Sequence, residues 1–279
     1  MTLAVLALVL VAAGFHAAWN AMLKAAENPL ALAARALTLG TAVSTPPIAV
    51  AWLWHGRPGL PMAAWLLALV SGGLELLYFI ALSAAYRRGE LSAVYPIARG
   101  TAPLLAVAIG LLVLGERLHA LALAGIVCLL GGLWAVRRPS PASAAFLPAV
   151  LTGILIAAYS SLDRVGVRLG PPWLYGWVLW VIASLFLQAF ARLRRVPGAE
   201  LSNEPGTALV VGALMTGAYF LILFAFSVAP LAIVAPLRES AIVLVTAWGI
   251  WRLQERRGAW IRIGGAIAIV TGIALLTVS

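Results

Sequence analysis

Long apolar runs recur along the whole chain, and they constrain its fold more than any other feature of the sequence. Of its 279 residues, 63% are hydrophobic and 10% are charged, whereas a soluble domain has about 45–50% apolar and about 25% charged residues. An apolar run of roughly 20 residues can cross the hydrocarbon core of a bilayer as a helix. The sequence therefore predicts an integral membrane protein with little chain left for a soluble domain.

Charged residues, prolines and glycines divide the apolar runs into ten segments. Inside hydrocarbon only helices and closed barrels satisfy their own backbone groups, and the strict alternation of barrel strands is absent from this sequence. We therefore predict an all-α integral membrane protein with ten transmembrane helices. The predicted spans are 2–23, 31–54, 62–85, 92–114, 118–136, 146–167, 172–191, 207–229, 231–251 and 259–278.

The small number of polar residues excludes several kinds of enzyme. The chain has one aspartate (Asp163), one lysine (Lys24), one cysteine (Cys128) and three histidines. It contains no P-loop, no His-Glu-x-x-His motif and no aspartate cluster that could hold a metal-bound diphosphate. We therefore predict a protein that is not an enzyme, with no cofactor and no metal site.

Basic residues flank the apolar runs, which makes them membrane anchors and topology signals. The formal net charge of +10 consequently does not predict a nucleic-acid partner; the predicted partners are the lipid bilayer and a small solute. About 13 lysines and arginines lie on the side of the odd-numbered connections, against about 4 on the other side. By the positive-inside rule this count places both termini outside the cytoplasm.

The second half of the sequence repeats the first at a nearly constant offset of half the chain. The matched positions are Arg99 with Arg238, Glu116-Arg117 with Glu255-Arg256, Gly125 with Gly264, Trp19-Asn20 with Tyr159-Ser160, and Lys24 with Arg164. Each repeat, 1–138 and 139–279, holds five predicted helices, so the two copies enter the membrane from opposite sides. Inverted repeats of this kind are typical of secondary transporters, whose solute site lies at the repeat interface near the bilayer midplane.

These features resemble the drug/metabolite transporter superfamily, and within it the ten-helix EamA-type transporters. The resemblance rests on the two halves, the Leu-Gly-Glu-Arg-Leu stretch at 114–118, its copy at 253–256 and the His-Ala-Ala-Trp-Asn segment at 16–20. The copy departs from the pattern, because Gln254 stands where the first half has Gly115. The resemblance implies transport of small metabolites or drugs without ATP, often outward. It also favours cytoplasmic termini, opposite to the charge count, so we predict only that both termini share a side.

Five ionisable residues fall inside predicted spans, where an unpaired charge costs several kcal/mol and therefore indicates function. They are Glu75, Arg99, Asp163, Arg238 and Glu239. The two arginines belong to matching helices of the repeats, so we expect them to approach one central cavity from opposite halves. The alternative is that they pair with Glu75 and Glu239 and simply lock the bundle.

Prolines precede both arginines and predict broken helices at matching places in the two halves. Pro96 lies three residues before Arg99, and Pro236 lies two residues before Arg238. A proline inside a helix removes one backbone hydrogen bond. Interrupted helices in corresponding places are a sequence indicator of a transport site.

Aromatic and polar residues share helix faces with these charges and complete the predicted solute site. An apolar cavity with a few polar groups suits a small amphiphilic solute. The predicted lining residues are Trp19, Asn20, Tyr78, Tyr95, Arg99, Tyr159, Tyr219, Arg238 and Glu239.

Two residues are candidates for proton coupling. Glu75 is the first, because burial in a low-dielectric span favours the protonated form of a carboxyl group. His16 is the second, because imidazole ordinarily titrates near physiological pH. Arginine keeps its charge, so Arg99 and Arg238 are predicted to bind an anionic group of the solute instead.

The sequence thus predicts a proton-linked carrier of small zwitterionic or amphiphilic metabolites, such as amino acids, that exports them across a bacterial inner membrane. Two alternatives stay open: a carrier of organic cations held in a cation-π cage, and a flippase for a lipid-linked substrate. Glycines in the fifth and tenth spans, Gly125, Gly131, Gly132, Gly264, Gly265 and Gly272, predict close helix packing within the chain or a homodimer contact.

Overall fold

The computed structural model describes residues 3–89, 91–137, 144–201, 204–240 and 259–278, and all regular elements in these ranges are helical. The α-helices are α1 Leu3–Ala25, α2 Pro29–Trp54, α3 Met62–Arg88, α4 Leu91–Leu112, α5 Ala120–Arg137, α6 Phe146–Gly166, α7 Pro172–Leu193, α8 Pro205–Val228, α9 Leu231–Leu237 and α10 Ala259–Val278. A short 3₁₀ helix, Arg238–Ser240, follows α9.

Prolines and one asparagine set several helix starts. Pro29, Pro172 and Pro205 occupy first-turn positions of α2, α7 and α8, where a missing N–H costs no helical hydrogen bond. The side chain of Asn28 accepts a hydrogen bond from the amide of Ala31 and caps α2. Nine of the predicted spans begin and end within a few residues of the observed helices.

The predicted ninth span, 231–251, differs from the observed helix. It begins at Leu231 as predicted, but α9 ends at Leu237 and gives way to the 3₁₀ helix. Residues 241–258 lie outside the described residues, and with them the predicted pair Glu255-Arg256.

Within the described ranges, six helices are long and apolar enough to cross a membrane: α1, α2, α3, α6, α7 and α8. Shorter apolar segments, Ile97–Leu112, Ala120–Ala135 and Ile263–Val278, lie in α4, α5 and α10. Large apolar side chains such as Trp54 and Leu112 are exposed on the outside of the bundle. The fold is therefore an all-helical membrane bundle with lipid-facing apolar surfaces.

Helix contacts follow the order of two five-helix repeats. Helix α1 packs against α8, and its counterpart α6 packs against α3; likewise α2 packs against α8, and α7 against α3. Counterpart helices also pack against each other, as α2 does with α7, α4 with α9 and α5 with α10. Exchanging each helix for its counterpart leaves these pairings unchanged, as expected for the inverted repeats of a transporter.

Glycines bring α5 and α10 into close contact. A Cβ atom on Gly132 would lie 2.5 Å from the carbonyl oxygen of Gly265, and one on Gly272 would lie 2.6 Å from that of Gly125. The two contacts are equivalent in the two repeats if Gly132 corresponds to Gly272 and Gly125 to Gly265. The sequence match paired Gly125 with Gly264, so the contacts shift that match by one residue. These glycines pack within the chain, which is one of the two interpretations that the sequence allows.

Basic residues at the ends of α1 and α6 make equivalent bonds in the two halves. The Lys24 ammonium donates to the carbonyl oxygens of Tyr86 and Gly89, at 2.6 and 2.9 Å, where α3 ends. The guanidinium of Arg164, its counterpart in the second repeat, donates to the carbonyl oxygen of Phe226 near the end of α8. The two donors, Lys24 and Arg164, are separated in sequence by the same number of residues as the two acceptors, Tyr86 and Phe226. These individual hydrogen bonds therefore agree with the repeat predicted from the sequence.

Candidate functional site

Buried polar side chains occur on α1, α3, α4, α6 and the 3₁₀ helix after α9, and several of them lie within electrostatic range of one another. None of them is more than 6% exposed. The set comprises His16, Asn20, Glu75, Arg99, Ser160, Asp163, Arg238 and Glu239. So many polar groups in an apolar bundle mark this region as the candidate solute site.

The two arginines of the repeat meet at one carboxylate. Arg99 donates from Nη1 to Oε1 of Glu239 at 3.0 Å, and Nε of Arg238 lies 3.6 Å from the same oxygen. The two halves of the chain thus contribute one cation each to a shared cluster. The pairing alternative holds for Glu239, whereas neither arginine forms an ion pair with Glu75 in the described part of the chain.

The helix carrying Arg238 is interrupted, but the helix carrying Arg99 is not. Helix α9 ends one residue after Pro236, and the 3₁₀ helix then positions Arg238 and Glu239. Helix α4 runs on from Leu91 to Leu112 through Pro96. The predicted break in the first half is therefore wrong: Pro96 is the sixth residue of α4, and the loss of its one backbone hydrogen bond does not end the helix, just as Pro46 and Pro47 do not end α2.

His16 is held by a neighbour on its own helix. Trp19 donates from its indole nitrogen Nε1 to Nδ1 of His16 at 3.0 Å, and the two rings lie 5.8 Å apart. Nε2 of His16 is buried and has no hydrogen-bond partner among the described residues. Trp19 thus fixes the orientation of the His16 ring through a direct hydrogen bond.

Asn20 bridges α1 to α3. Its amide donates to the carbonyl oxygen of His16 at 2.7 Å, and its side-chain oxygen accepts from the Tyr86 hydroxyl at 2.7 Å. Ser160, the counterpart of Asn20, is also buried, but its hydroxyl has no partner in the part of the chain that the structure describes. Within these ranges, the first half therefore closes this helix pair with a hydrogen bond that the second half lacks.

Three predicted tyrosines form a continuous row across the site. The ring centres of Tyr78 and Tyr159 lie 5.6 Å apart, and those of Tyr159 and Tyr219 lie 5.9 Å apart, both edge-to-face. Trp180, which was not predicted from the sequence, stacks on Tyr219 at 4.7 Å with parallel planes. The row supplies a wall of aromatic faces beside the charged cluster. The side chain of the remaining predicted tyrosine, Tyr95, lies outside the described residues.

Asp163 is the second buried carboxylate, and two tyrosines hold it. The Tyr175 hydroxyl donates to Oδ1 at 2.7 Å, and the Tyr219 hydroxyl donates to Oδ2. The sequence identifies Asp163 as a charge within a span but does not include it in the predicted lining. Its position one turn after Tyr159 on α6 is the signal that could have added it.

Glu75 is buried on α3 without such support. It is 2% exposed, and it has neither a hydrogen-bond donor nor an ion-pair partner among the residues that the structure describes. It interacts electrostatically with Asp163 and Arg238. An unpaired buried carboxyl group is costly, which supports a functional role for this residue.

Glu116 of the Leu-Gly-Glu-Arg-Leu stretch has a structural role. Its carboxylate accepts from the amides of Leu231 and Ala232, at 2.7 and 2.9 Å, and from Nε of Arg164 at 3.2 Å. It thereby caps the start of α9, which belongs to the other repeat. The helix that it caps is distant from Glu116 in the sequence.

Arg35, which the topology count includes among the exposed basic residues at span ends, is buried inside the protein. It is 6% exposed, inside α2. Its aliphatic neighbours in sequence give no indication of this burial, because an arginine near a span end is ordinarily exposed or snorkels to the interface.

Residues 2–138 match a family model described as the EamA-like transporter family. The chain belongs to this family. Its members are membrane transporters of the drug/metabolite type and not enzymes, so this EamA-like transporter is a multi-pass membrane transport protein.

Solved structures share the fold of this EamA-like transporter, and one of them is similar over nearly the whole chain. It is described only as "Crystal structure of protein", and it aligns with a TM-score of 0.70 at 20% sequence identity, covering 97% of this chain and 98% of its own. No curated protein matches the chain in sequence.

Proposed function

We propose that this EamA-like transporter carries small zwitterionic or amphiphilic metabolites, such as amino acids, by alternating access between repeats 1–138 and 139–279. One observation carries the proposal. Among the described residues, the buried centre holds a carboxylate without a partner, Glu75, and a guanidinium with two nitrogen atoms without hydrogen bonds, Arg238. Unfilled groups of opposite charge in one site suit a solute that carries both charges.

Glu75 is also the proposed site of proton coupling. A buried carboxyl group without a fixed cation changes its charge at a lower cost than one held in a salt bridge. A proton on Glu75 and the cationic group of a solute would compete for the same position. That competition links solute movement to proton movement, with the solute exported in exchange for a proton. His16 remains the second candidate for this role.

The site lies between the halves, as alternating access requires. Arg99 comes from the first repeat, whereas Arg238 and Glu239 come from the second, and they share one ion-pair cluster. Movement of one repeat against the other would change the distances within this cluster. We propose the bacterial inner membrane as the location, because helical bundles and not barrels are typical there, and a monomer or homodimer as the functional unit.

A carrier of organic cations is the second candidate. The row of Tyr78, Tyr159 and Tyr219 with Trp180 favours it, because aromatic faces attract quaternary ammonium groups. In that case Glu75 would supply the balancing charge and Arg238 would not contact the solute.

A thermal-shift screen of the purified protein distinguishes the two candidates. Amino acids and quaternary amines are tested at two pH values against the wild type, Glu75→Gln and Arg238→Gln. We expect amino acids to stabilise the wild type and to stabilise neither variant. Stabilisation by quaternary amines that persists in Arg238→Gln would support the cation carrier and contradict the zwitterion carrier.

Proton coupling needs its own measurement. In proteoliposomes, a pH gradient is expected to drive uptake of a stabilising amino acid by the wild type and not by Glu75→Gln. Because Glu75→Gln is also expected to lose amino-acid binding, the melting temperature of each reconstituted protein without ligand serves as the control for intact protein. Gradient-driven uptake by Glu75→Gln at the wild-type rate would remove Glu75 from the coupling step.

A further inference from the structure

We propose that Arg238 and His16 together bind the carboxylate of the solute, and that Trp19 keeps His16 in the donor form this requires. The inference rests on the proposed function and deepens it, because it gives the two arginines different roles. It also gives His16 a role other than proton coupling.

The two arginines differ in their hydrogen bonds. Arg99 donates to Glu239 at 3.0 Å, so part of its fork is committed to a fixed carboxylate. Nε and Nη1 of Arg238 are buried and have no hydrogen-bond partner within the described ranges, and Nε lies 3.6 Å from Glu239, beyond hydrogen-bonding distance. A guanidinium with available donors in its planar fork can bind a carboxylate through two parallel bonds. Arg238 therefore fits the role of solute ligand, and Arg99 that of positioning Glu239.

The bond from Trp19 fixes the tautomer of His16. An indole N–H can only donate, so Nδ1 of His16 must be an acceptor and carry no proton. A neutral imidazole then carries its proton on Nε2. That nitrogen is buried without a partner in the described part of the chain, so His16 presents an unused N–H donor to an acceptor that enters the site.

The surroundings of His16 favour an anion. His16 is 6% exposed, and it interacts electrostatically with both Arg99 and Arg238. The 3₁₀ helix Arg238–Ser240 packs directly against α1, which carries His16. A further cation in this place would be repelled, whereas an N–H donor beside a guanidinium attracts an anion.

A carboxylate is the anion that this pair of residues fits. Glu239 already balances one of the two arginine charges, which leaves one positive charge for a monoanion. The site places Glu75 within electrostatic range of Arg238, at a position suited to the ammonium group of the same solute. Carboxylate at Arg238 and His16 and ammonium at Glu75 give an amino acid one defined orientation.

The experiment compares ligands that differ only in the carboxyl group. Binding to the purified protein is first measured for the standard amino acids, and the one that binds most tightly is identified. Binding is then measured for the amine that lacks the carboxyl group of that amino acid, and for propionate. Variants are Arg238→Gln, Arg99→Gln, His16→Leu and His16→Gln. His16→Gln is the matched control, because the glutamine amide keeps an N–H donor near the position of Nε2.

We expect Arg238→Gln and His16→Leu to weaken amino-acid binding about tenfold or more, because each substitution removes a hydrogen bond to a charged group. Binding of the amine should change less than about twofold, and His16→Gln should retain most of the amino-acid affinity. The inference is overturned if His16→Gln loses as much affinity as His16→Leu, or if Arg99→Gln alone reproduces the effect of Arg238→Gln. The melting temperature without ligand shows whether each variant is folded.

The role of Trp19 is tested by a double-mutant cycle. Trp19→Phe should weaken amino-acid binding in the wild type, and should have no further effect in the His16→Gln background, because its action passes through Nδ1. Equal losses in both backgrounds would show that Trp19 acts independently and would overturn this part of the inference.

Failure of the proposed function would look different. If no amino acid binds but propionate does, and its binding depends on Arg238 and His16, the anion subsite stands and the zwitterion carrier falls. If neither propionate nor any amino acid binds the wild type, both proposals fall.

Discussion

Two buried carboxylates, Glu75 and Asp163, have opposite surroundings although their helices pack against each other. Both are at most 2% exposed. Asp163 accepts hydrogen bonds from Tyr175 and Tyr219, whereas Glu75 has no partner in the described ranges. Burial alone therefore does not reveal the role of a charge within a membrane. A buried carboxylate whose oxygens accept hydrogen bonds from other helices holds those helices together. A buried carboxylate without such bonds lowers the stability of the fold and is available to bind a ligand or a proton.

The same contrast separates two larger regions. Near the end of α6, Arg164 and Glu116 join three helices through hydrogen bonds to Phe226, Leu231 and Ala232. At the centre, polar atoms of His16, Ser160 and Arg238 lack partners among the residues that the structure describes. We expect the first region to determine stability and the second to determine transport.

The largest effect on stability is expected for Asp163→Ala. The change leaves two buried tyrosine hydroxyls without an acceptor, which should lower the free energy of unfolding by about 3 kcal/mol. Denaturant unfolding in detergent measures the loss. Asp163→Asn retains one acceptor and should lose about half as much. An unchanged stability in Asp163→Ala would mean that Asp163 belongs with Glu75 and not with the structural carboxylates.

Glu116→Ala should have the next largest effect. It removes the cap of α9 and the ion pair with Arg164, at a cost of about 2 kcal/mol. Arg117→Ala is the matched control, because it removes a neighbouring charge of the same stretch. The comparison is weakened if both variants unfold at the same denaturant concentration.

Tyr175→Phe should lower stability by about 1 kcal/mol, because it removes one hydrogen bond to Asp163 and leaves the ring in place. Tyr159→Phe provides the control: its hydroxyl has no hydrogen bond in the described part of the chain, so its loss should change stability by less than about 0.5 kcal/mol. Equal effects of the two substitutions would contradict the hydrogen-bond explanation.

Glu75→Gln should have the smallest effect on stability and a large effect on transport. No bond within the described ranges is lost, so the free energy of unfolding should stay within about 0.5 kcal/mol of wild type or rise. The same samples used for gradient-driven uptake give this measurement. A loss comparable to that of Asp163→Ala would show that Glu75 is structural and would remove the contrast between the two carboxylates.

Much of the fold could be predicted because a bilayer limits the possible structures. Apolar runs such as 62–85 form helices there, and a proline that follows a loop, such as Pro172, is well suited to the first turn of a helix. The sequence match of Lys24 with Arg164 also extended to the bonds that the two residues make. The break of α9 beside Pro236 agrees with the prediction from proline chemistry, whereas α4 runs on through Pro96 and α2 through Pro46 and Pro47, because the loss of one backbone hydrogen bond does not by itself end a helix.

The sequence by itself determined that the chain is an all-helical membrane protein and that a few charged residues lie inside its helices, and the helix contacts agree with the predicted correspondence of its two halves. The sequence could not determine the partners of those charges. Glu239 rather than Glu75 pairs with Arg99, and tyrosines from α7 and α8 hold Asp163. Glu239 and Tyr219 lie far along the chain from the residues that they bond, and the short spacing of Tyr175 from Asp163 does not show which face of α7 meets α6. A hydrogen bond depends on the rotation and position of each helix to within a fraction of an ångström, and only the packing of the whole bundle fixes both.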